Sequence, residues 1–161
     1  MIVLLMGVSG SGKTRIGSQL AEELSWEFLD GDDFHGQEQV KKMASGIPLT
    51  EQDRELWLEV LRELLQGRRE KSQDCILACS ALTAEFRRKL LKDFPDVVLI
   101  HLHGDFKLIT KRMENRRGHY FRPKLLTGQF ETLQSPVSVL RIDISKSPDE
   151  IVGEIREYLE V

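Results

Sequence analysis

Near the start of the chain, three glycines, a lysine and a threonine stand at fixed offsets in Gly7-Val8-Ser9-Gly10-Ser11-Gly12-Lys13-Thr14. The spacing is GxxxxGK[ST], and each residue type in it has a chemical reason. Glycines let main-chain N–H groups turn inward around a polyphosphate, the lysine reaches its outer phosphates, and the hydroxyl is offered to Mg²⁺. Gly7, Ser9, Gly10, Ser11, Gly12, Lys13 and Thr14 are therefore the candidate cofactor-binding residues, for ATP and Mg²⁺. Carboxylates follow at Asp30-Gly31-Asp32-Asp33. Transfer of a phosphoryl group to a hydroxyl needs a metal whose water shell is held by acids and a nucleophile that is oriented. Asp30 is assigned to the metal and Asp32 to the substrate hydroxyl, as orienting group or base; on sequence alone the two roles are interchangeable. Asp33 reads as a helix cap or a solvated turn.

Such groups need strand ends and helix starts to carry them. Short apolar runs over Ile2–Met6, Trp26–Leu29, Cys75–Cys79, Val97–Leu102 and Val137–Ile144 predict buried strands. Helical spacing lies between them: Lys13–Leu24 with Ile16, Leu20 and Leu24; Glu51–Leu65 with Leu56, Val60, Leu61 and Leu64; Phe106–Arg116 with Phe106, Ile109 and Met113. Each of these predicts one face packed on a sheet. Thr50 with Asp53 resembles a capping box, and Ser147-Pro148-Asp149-Glu150 supplies an N-cap, a proline at the first helical position and acids in the first turn. The alternation of strands and helices predicts a mostly parallel sheet covered on both faces, with ligands beyond the carboxyl ends of its strands.

With 161 residues, 40 % hydrophobic and 30 % charged, the chain is expected to form a single domain over residues 1–161. A net charge of −3 gives no global basic field for nucleic acid. The apolar runs are too short to cross a bilayer, so neither a membrane nor a nucleic-acid partner is expected, and a cytoplasmic location is. Cys75 and Cys79 share one strand, roughly 13 Å apart at about 3.3 Å per residue, beyond disulfide reach. They read as reduced core residues.

The chain resembles the thermoresistant-type gluconokinases, small P-loop kinases that phosphorylate D-gluconate on its 6-hydroxyl with ATP. The resemblance runs through GVSGSGKT, FLDGDDFH, KMASGIPLTEQDRELWL, CSAL, LHGDF, RRGHYF and QFETLQSP, from about Val3 to Pro136. It implies a three-layer, adenylate-kinase-like α/β fold with a five-stranded parallel sheet, a lid over about residues 112–128, and a homodimer.

Several polar residues then acquire expected roles. Arg54 falls in the first turn of a helix, a poor place for a cation by its dipole. Gluconate carries a carboxylate, which a guanidinium clamps with two parallel hydrogen bonds, so Arg54 is the expected anchor. His35 and Lys42 are further pocket candidates. Arg112, Arg116, Arg117 and His119 form a cationic cluster that suits an anion; by the resemblance, Arg112 and Arg116 stabilise transition-state charge. Where the family pattern has CSALK followed by a tyrosine and an arginine, this chain has Cys79-Ser80-Ala81-Leu82-Thr83 and then Phe86-Arg87. Arg87 is carried over as a substrate residue, the lysine is replaced by Thr83, itself a sensible N-cap, and the family's His-Pro is here His35-Gly36. These departures bear on the sugar acid and leave Lys13, Thr14, Asp30 and Asp32 untouched.

Overall fold

The computed structural model describes residues 1–116 and 123–161. Five parallel strands, β1 (Ile2–Met6), β2 (Glu27–Asp30), β3 (Cys75–Ala78), β4 (Val98–His103) and β5 (Leu140–Asp143), lie in the order β2-β3-β1-β4-β5. Seven helices accompany them among the described residues: α1 (Lys13–Leu24), α2 (Gln37–Ala44), α3 (Glu51–Glu70), α4 (Ala84–Leu91), α5 (Phe106–Glu114), α6 (Pro123–Thr132) and α7 (Pro148–Leu159). The expected three-layer α/β fold is the one observed. No helix among the described residues is long and apolar enough to cross a membrane.

Alternation along β1 explains the layers. Val3 and Leu5 enter one core with Ile16 and Leu20 of α1, Ile109 of α5, Leu126 of α6 and Ile151, Val152 and Ile155 of α7. Ile2, Leu4 and Met6 enter the other, with Leu58, Leu61 and Leu65 of α3 and Leu90 of α4. Every residue of β1 is buried, as a strand covered on both faces requires. Cys75 and Cys79 are free and buried, and burial pushes their thiols up to about 11 and about 12.

Two expectations need correction. The stripe of α3 that packs is Leu58, Leu61 and Leu65, whereas Leu56 is 48 % and Val60 38 % exposed. The helix carries two overlapping apolar stripes, Leu56-Val60-Leu64 and Leu58-Leu61-Leu65, and periodicity alone does not choose between them. The choice is made at the N-terminal end of α3, where Trp57 and Asp53 are pinned to neighbouring elements. The fifth strand is also shorter than the apolar run, because Ser138 takes a left-handed φ of 57° and Val137 is 85 % exposed.

Helix α2 buries none of its residues. A single carboxylate ties it to α3: Asp53 accepts from Lys42 Nζ at 2.7 Å and Gln39 Nε2 at 3.0 Å, and from the Thr50 N–H at 2.9 Å in the predicted capping box. The ammonium of Lys42, with the N–H of Thr50 and the amide of Gln39, holds the Asp53 carboxyl well below the usual carboxylate range. A depressed acid adds stability above the unfolded value near pH 4, and that contribution is lost as the pH falls through the folded one. Asp53→Asn is therefore expected to melt earlier than the wild type at pH 5 to 7, with the gap closing from about pH 4 to about pH 2. Thermal melts across that range check it, and a gap independent of pH would refute it.

Candidate active site

β1 ends at Met6 and the chain turns at Gly7, whose φ is +154°. A Cβ there would stand 2.6 Å from both the Leu102 carbonyl and Ser11 Oγ, so no larger residue fits. The loop closes at Gly12, which starts α1 in a left-handed conformation with φ 93°. Lys13 Nζ donates to the Gly7 and Val8 carbonyls at 2.9 and 3.0 Å, bending the side chain back over the loop. Burial lowers the pKa of this ammonium, and the negative charges of Asp32 and Asp30 oppose that shift. Ser11 Oγ is buried in the loop without a partner.

The acid turn is joined to this loop through Asp30, the last residue of β2. One of its oxygens accepts from Thr14 Oγ1 at 2.8 Å, the other from the N–H of Asp32 at 3.1 Å. The backbone then makes a 3₁₀ turn over Gly31–Phe34. Asp32 is exposed at the cleft surface, yet the surrounding protein thins its hydration and Asp30 lies beside it. Both raise its pKa, against the opposing pull of Lys13 and His35. Hard oxygen donors from Thr14 and Asp30 side by side suit Mg²⁺, which keeps most of its waters and takes few protein ligands.

A residue the sequence reading missed fixes this turn. Trp57 of α3 donates its indole N–H to the Gly31 carbonyl at 2.8 Å and stacks on His35 with ring centroids 4.4 Å apart. Phe86 of α4 lies 5.4 Å away. His35 is thereby held beside Asp32, with Nδ1 buried and a pKa lowered by burial, so it is a neutral imidazole at pH 7. The only signal in the sequence was a tryptophan, an apolar residue with a polar edge, beside an apolar stripe.

A cavity of about 550 Å³ lies over the loop. Ser9, Gly10, Ser11, Gly12, Lys13, Thr14, Asp30, Asp32, Arg112 and Arg116 all line it, so most of the expected site residues meet in one place. Arg112 also donates to the Ile144 carbonyl at 2.5 Å, which holds its guanidinium against the end of β5. Lys146, Pro148 and Ser80 line the same cavity and were not foreseen. Lys146 and Pro148 belong to the segment whose cap signature had marked only a helix start.

Five expected residues stand apart from that lining. Gly7 begins the loop without lining the cavity, and His35 lies against Trp57. Arg54 is exposed on the first turns of α3 and donates to the Leu49 carbonyl at 2.8 Å. Arg87 is 7 % exposed and donates to the carbonyls of Ala81, Leu82 and Gln134 at 2.8, 3.0 and 2.6 Å. Its guanidinium thus braces the segment after β3, where Ala81 has a φ of 45° and Thr83 caps α4, instead of standing free toward a ligand. Lys42 is paired with Asp53. Arg117, Gly118 and His119 lie outside the described residues. Of the expected lid, residues 123–128 belong to α6, whose Leu126 is buried in the core.

Comparison with known proteins gives the family and the fold. The family model described as shikimate kinase matches residues 9–159. The chain is 39 % identical to the thermoresistant gluconokinase of Escherichia coli strain K12, over 98 % of this chain and 93 % of that one. It is 40 % identical to a probable gluconokinase of Xenopus tropicalis, over 96 % of this chain and 91 % of that one. Among solved structures, a gluconokinase from Sinorhizobium meliloti 1021 superposes with a TM-score of 0.83 at 35 % identity, covering 98 % of this chain and 94 % of that one. A phosphate loop after β1, an acid turn after β2 and a likeness that runs from end to end make this chain a member of the gluconokinase family, within the wider shikimate kinase family.

Proposed function

We propose that this chain transfers the γ-phosphoryl group of ATP to the 6-hydroxyl of D-gluconate, giving 6-phospho-D-gluconate and ADP. The observation that carries the reading is Asp32, an acid at the mouth of the same cavity as Lys13 and Thr14, joined to the phosphate loop through Asp30. A nucleotide switch has no need of an acid facing a second ligand. In the reaction the hydroxyl oxygen forms a bond to the γ-phosphorus, the bond from that phosphorus to the ADP oxygen breaks, and the hydroxyl proton passes to the Asp32 carboxylate. Lys13, Arg112 and Arg116, which line the cavity, stabilise the charge on the moving group. Thr14 and Asp30 would hold Mg²⁺, which supplies neutralisation of phosphate charge when bound.

Arg54 is the proposed anchor for the gluconate carboxylate. One of its nitrogens is held at the Leu49 carbonyl, and it stands three residues before Trp57 on α3, the neighbouring position on that helix surface. Trp57 in turn touches His35 and Gly31, so α3 links the proposed anchor to the acid turn. His35 then contacts substrate beside Asp32, and Arg87 serves it from behind by bracing residues 81–83. A homodimer in the cytoplasm belongs to the same reading.

The decisive experiment is an ATP-consumption screen of the purified protein against gluconate, other aldonic acids, shikimate and nucleosides. Gluconate is expected to give the highest kcat/KM, and preference for a nucleoside or for shikimate would overturn the assignment.

Asp32→Asn removes a proton acceptor at constant shape, so kcat should fall at least a hundredfold, on the order expected for a lost general base, with little change in ATP affinity. Steady-state kinetics decide it: kcat held with weakened ATP binding would move Asp32 to the metal and Asp30 to the base.

Arg54→Ala leaves the substrate anion without its partner, at a cost of roughly 2 to 5 kcal/mol. The KM for gluconate should rise steeply while that for ATP barely moves, and the neutral analogue sorbitol, a poor substrate of the wild type, should lose little further. Equal losses toward gluconate and sorbitol would remove Arg54 from the site.

A further inference from the structure

The rim of the phosphate loop is gripped by two helices that stand on either side of the segment after Arg116. From α5, Met113 covers Gly10: a Cβ at that glycine, whose φ is +79°, would lie 2.7 Å from Met113 Sδ and 3.1 Å from Ile109 Cγ2. From α6, Gln129 reaches Ser9 twice. Its Oε1 accepts the Ser9 main-chain N–H at 2.6 Å, and its Nε2 donates to Ser9 Oγ at 3.0 Å.

Three features separate this contact from a chance surface pair. It joins residues 120 apart in the chain. It takes up both the backbone and the side chain of one loop residue, through the oxygen and the nitrogen of one planar amide. It is also mounted rigidly, since Leu126 is buried one turn earlier and Phe130, the next residue, meets Phe106 of α5 edge to face at 5.3 Å.

We propose that Gln129 is a positioning residue of the phosphate loop. By holding both polar groups of Ser9, it fixes the direction in which the loop rim faces the nucleotide phosphates and ties that direction to α6. This inference rests on the reading of the loop as an ATP site. Through Gln129 and Met113, any shift of α5 or α6 is felt at Ser9 and Gly10, and by linkage phosphates held in the loop restrain both helices in return.

The test compares Gln129→Ala, Ser9→Ala and the double variant with the wild type by calorimetric titration of ADP, steady-state kinetics and thermal melts. Gln129→Ala is expected to raise the Kd for ADP and the KM for ATP about tenfold, the scale of one to two hydrogen bonds, and to leave the KM for gluconate within about twofold. Ser9→Ala, which loses one of the two bonds, should cost about threefold. The double variant should be no worse than Gln129→Ala alone, the non-additivity of a direct contact. Wild-type ADP affinity in Gln129→Ala, whatever its melting temperature, or additive losses in the double variant, would overturn the proposal. If Gln129→Ala does not fold, Ser9→Ala decides alone, and an unchanged Kd for ADP overturns the proposal. A wild type that binds neither ADP nor ATP would take the ATP-site reading down with it, whereas a wild type that binds both and variants that match it would overturn only the role of Gln129.

Discussion

One carboxylate bridges two strand ends that are not neighbours. β1 carries the phosphate loop and β2 the acid turn, but β3 lies between them, so their ends are about 10 Å apart at the usual strand spacing. Asp30 spans that interval, with Thr14 of the loop side on one oxygen and the N–H of Asp32 on the other. The span needs a low neighbour, and β3 provides one: Ala78 is level with Asp30, and Gly31 passes so close to its carbonyl that a Cβ would stand 2.9 Å away. Trp57 closes the turn from the far side. Asp32, the acid proposed to meet the nucleophile, is thus referenced to the loop proposed to meet the phosphates, which is what transfer between two bound molecules demands.

The electrostatics of the cleft are local. Lys13, Arg112 and Arg116 line one cavity in a chain whose net charge is −3, so a field that would draw a polyphosphate belongs to the cleft and not to the surface. The groups beside it are kept chemically quiet. Cys79, at the end of β3, has its thiol pushed up to about 12, and His101, buried on β4, is held down at about 4 by burial and by the nearby charge of Arg141. Neither a thiolate nor an imidazolium forms there at pH 7.

Parts of this arrangement were legible in the sequence because they are local. The phosphate loop, both capping boxes and the Thr83 cap each depend on residues within a few positions, and each is found where spacing puts it. The five-stranded parallel sheet and the place of Arg112 and Arg116 at the cavity followed from the β/α alternation and the family resemblance, but strand order did not: the strand carrying the acids was expected beside β1, and β3 lies between them. What escaped was decided between elements. Leu56 and Leu58 are equally apolar, and only the pinning of α3 turns one outward. Arg87 was carried over by the resemblance as a substrate residue, but the carbonyls it meets belong to Ala81, Leu82 and, 47 residues on, Gln134. Trp57, Lys146 and Pro148 likewise acquire their surroundings only when distant segments fold together.

Helix α2 buries nothing and is moored through one ion pair and one amide contact to Asp53. Its outward residues consequently carry almost no packing constraint, while the phosphate loop and Asp30 are locked by glycines and close approach. Mutational drift therefore meets very different resistance at the phosphate loop and at α2. The phosphate end is frozen by geometry, and the segment flanking the acid turn is free to change its surface without putting the core at risk. A lineage built this way can vary the surface of α2 while its phosphate loop stays the same, provided that Lys42 and Gln39, or their replacements, still reach the one carboxylate that moors the helix.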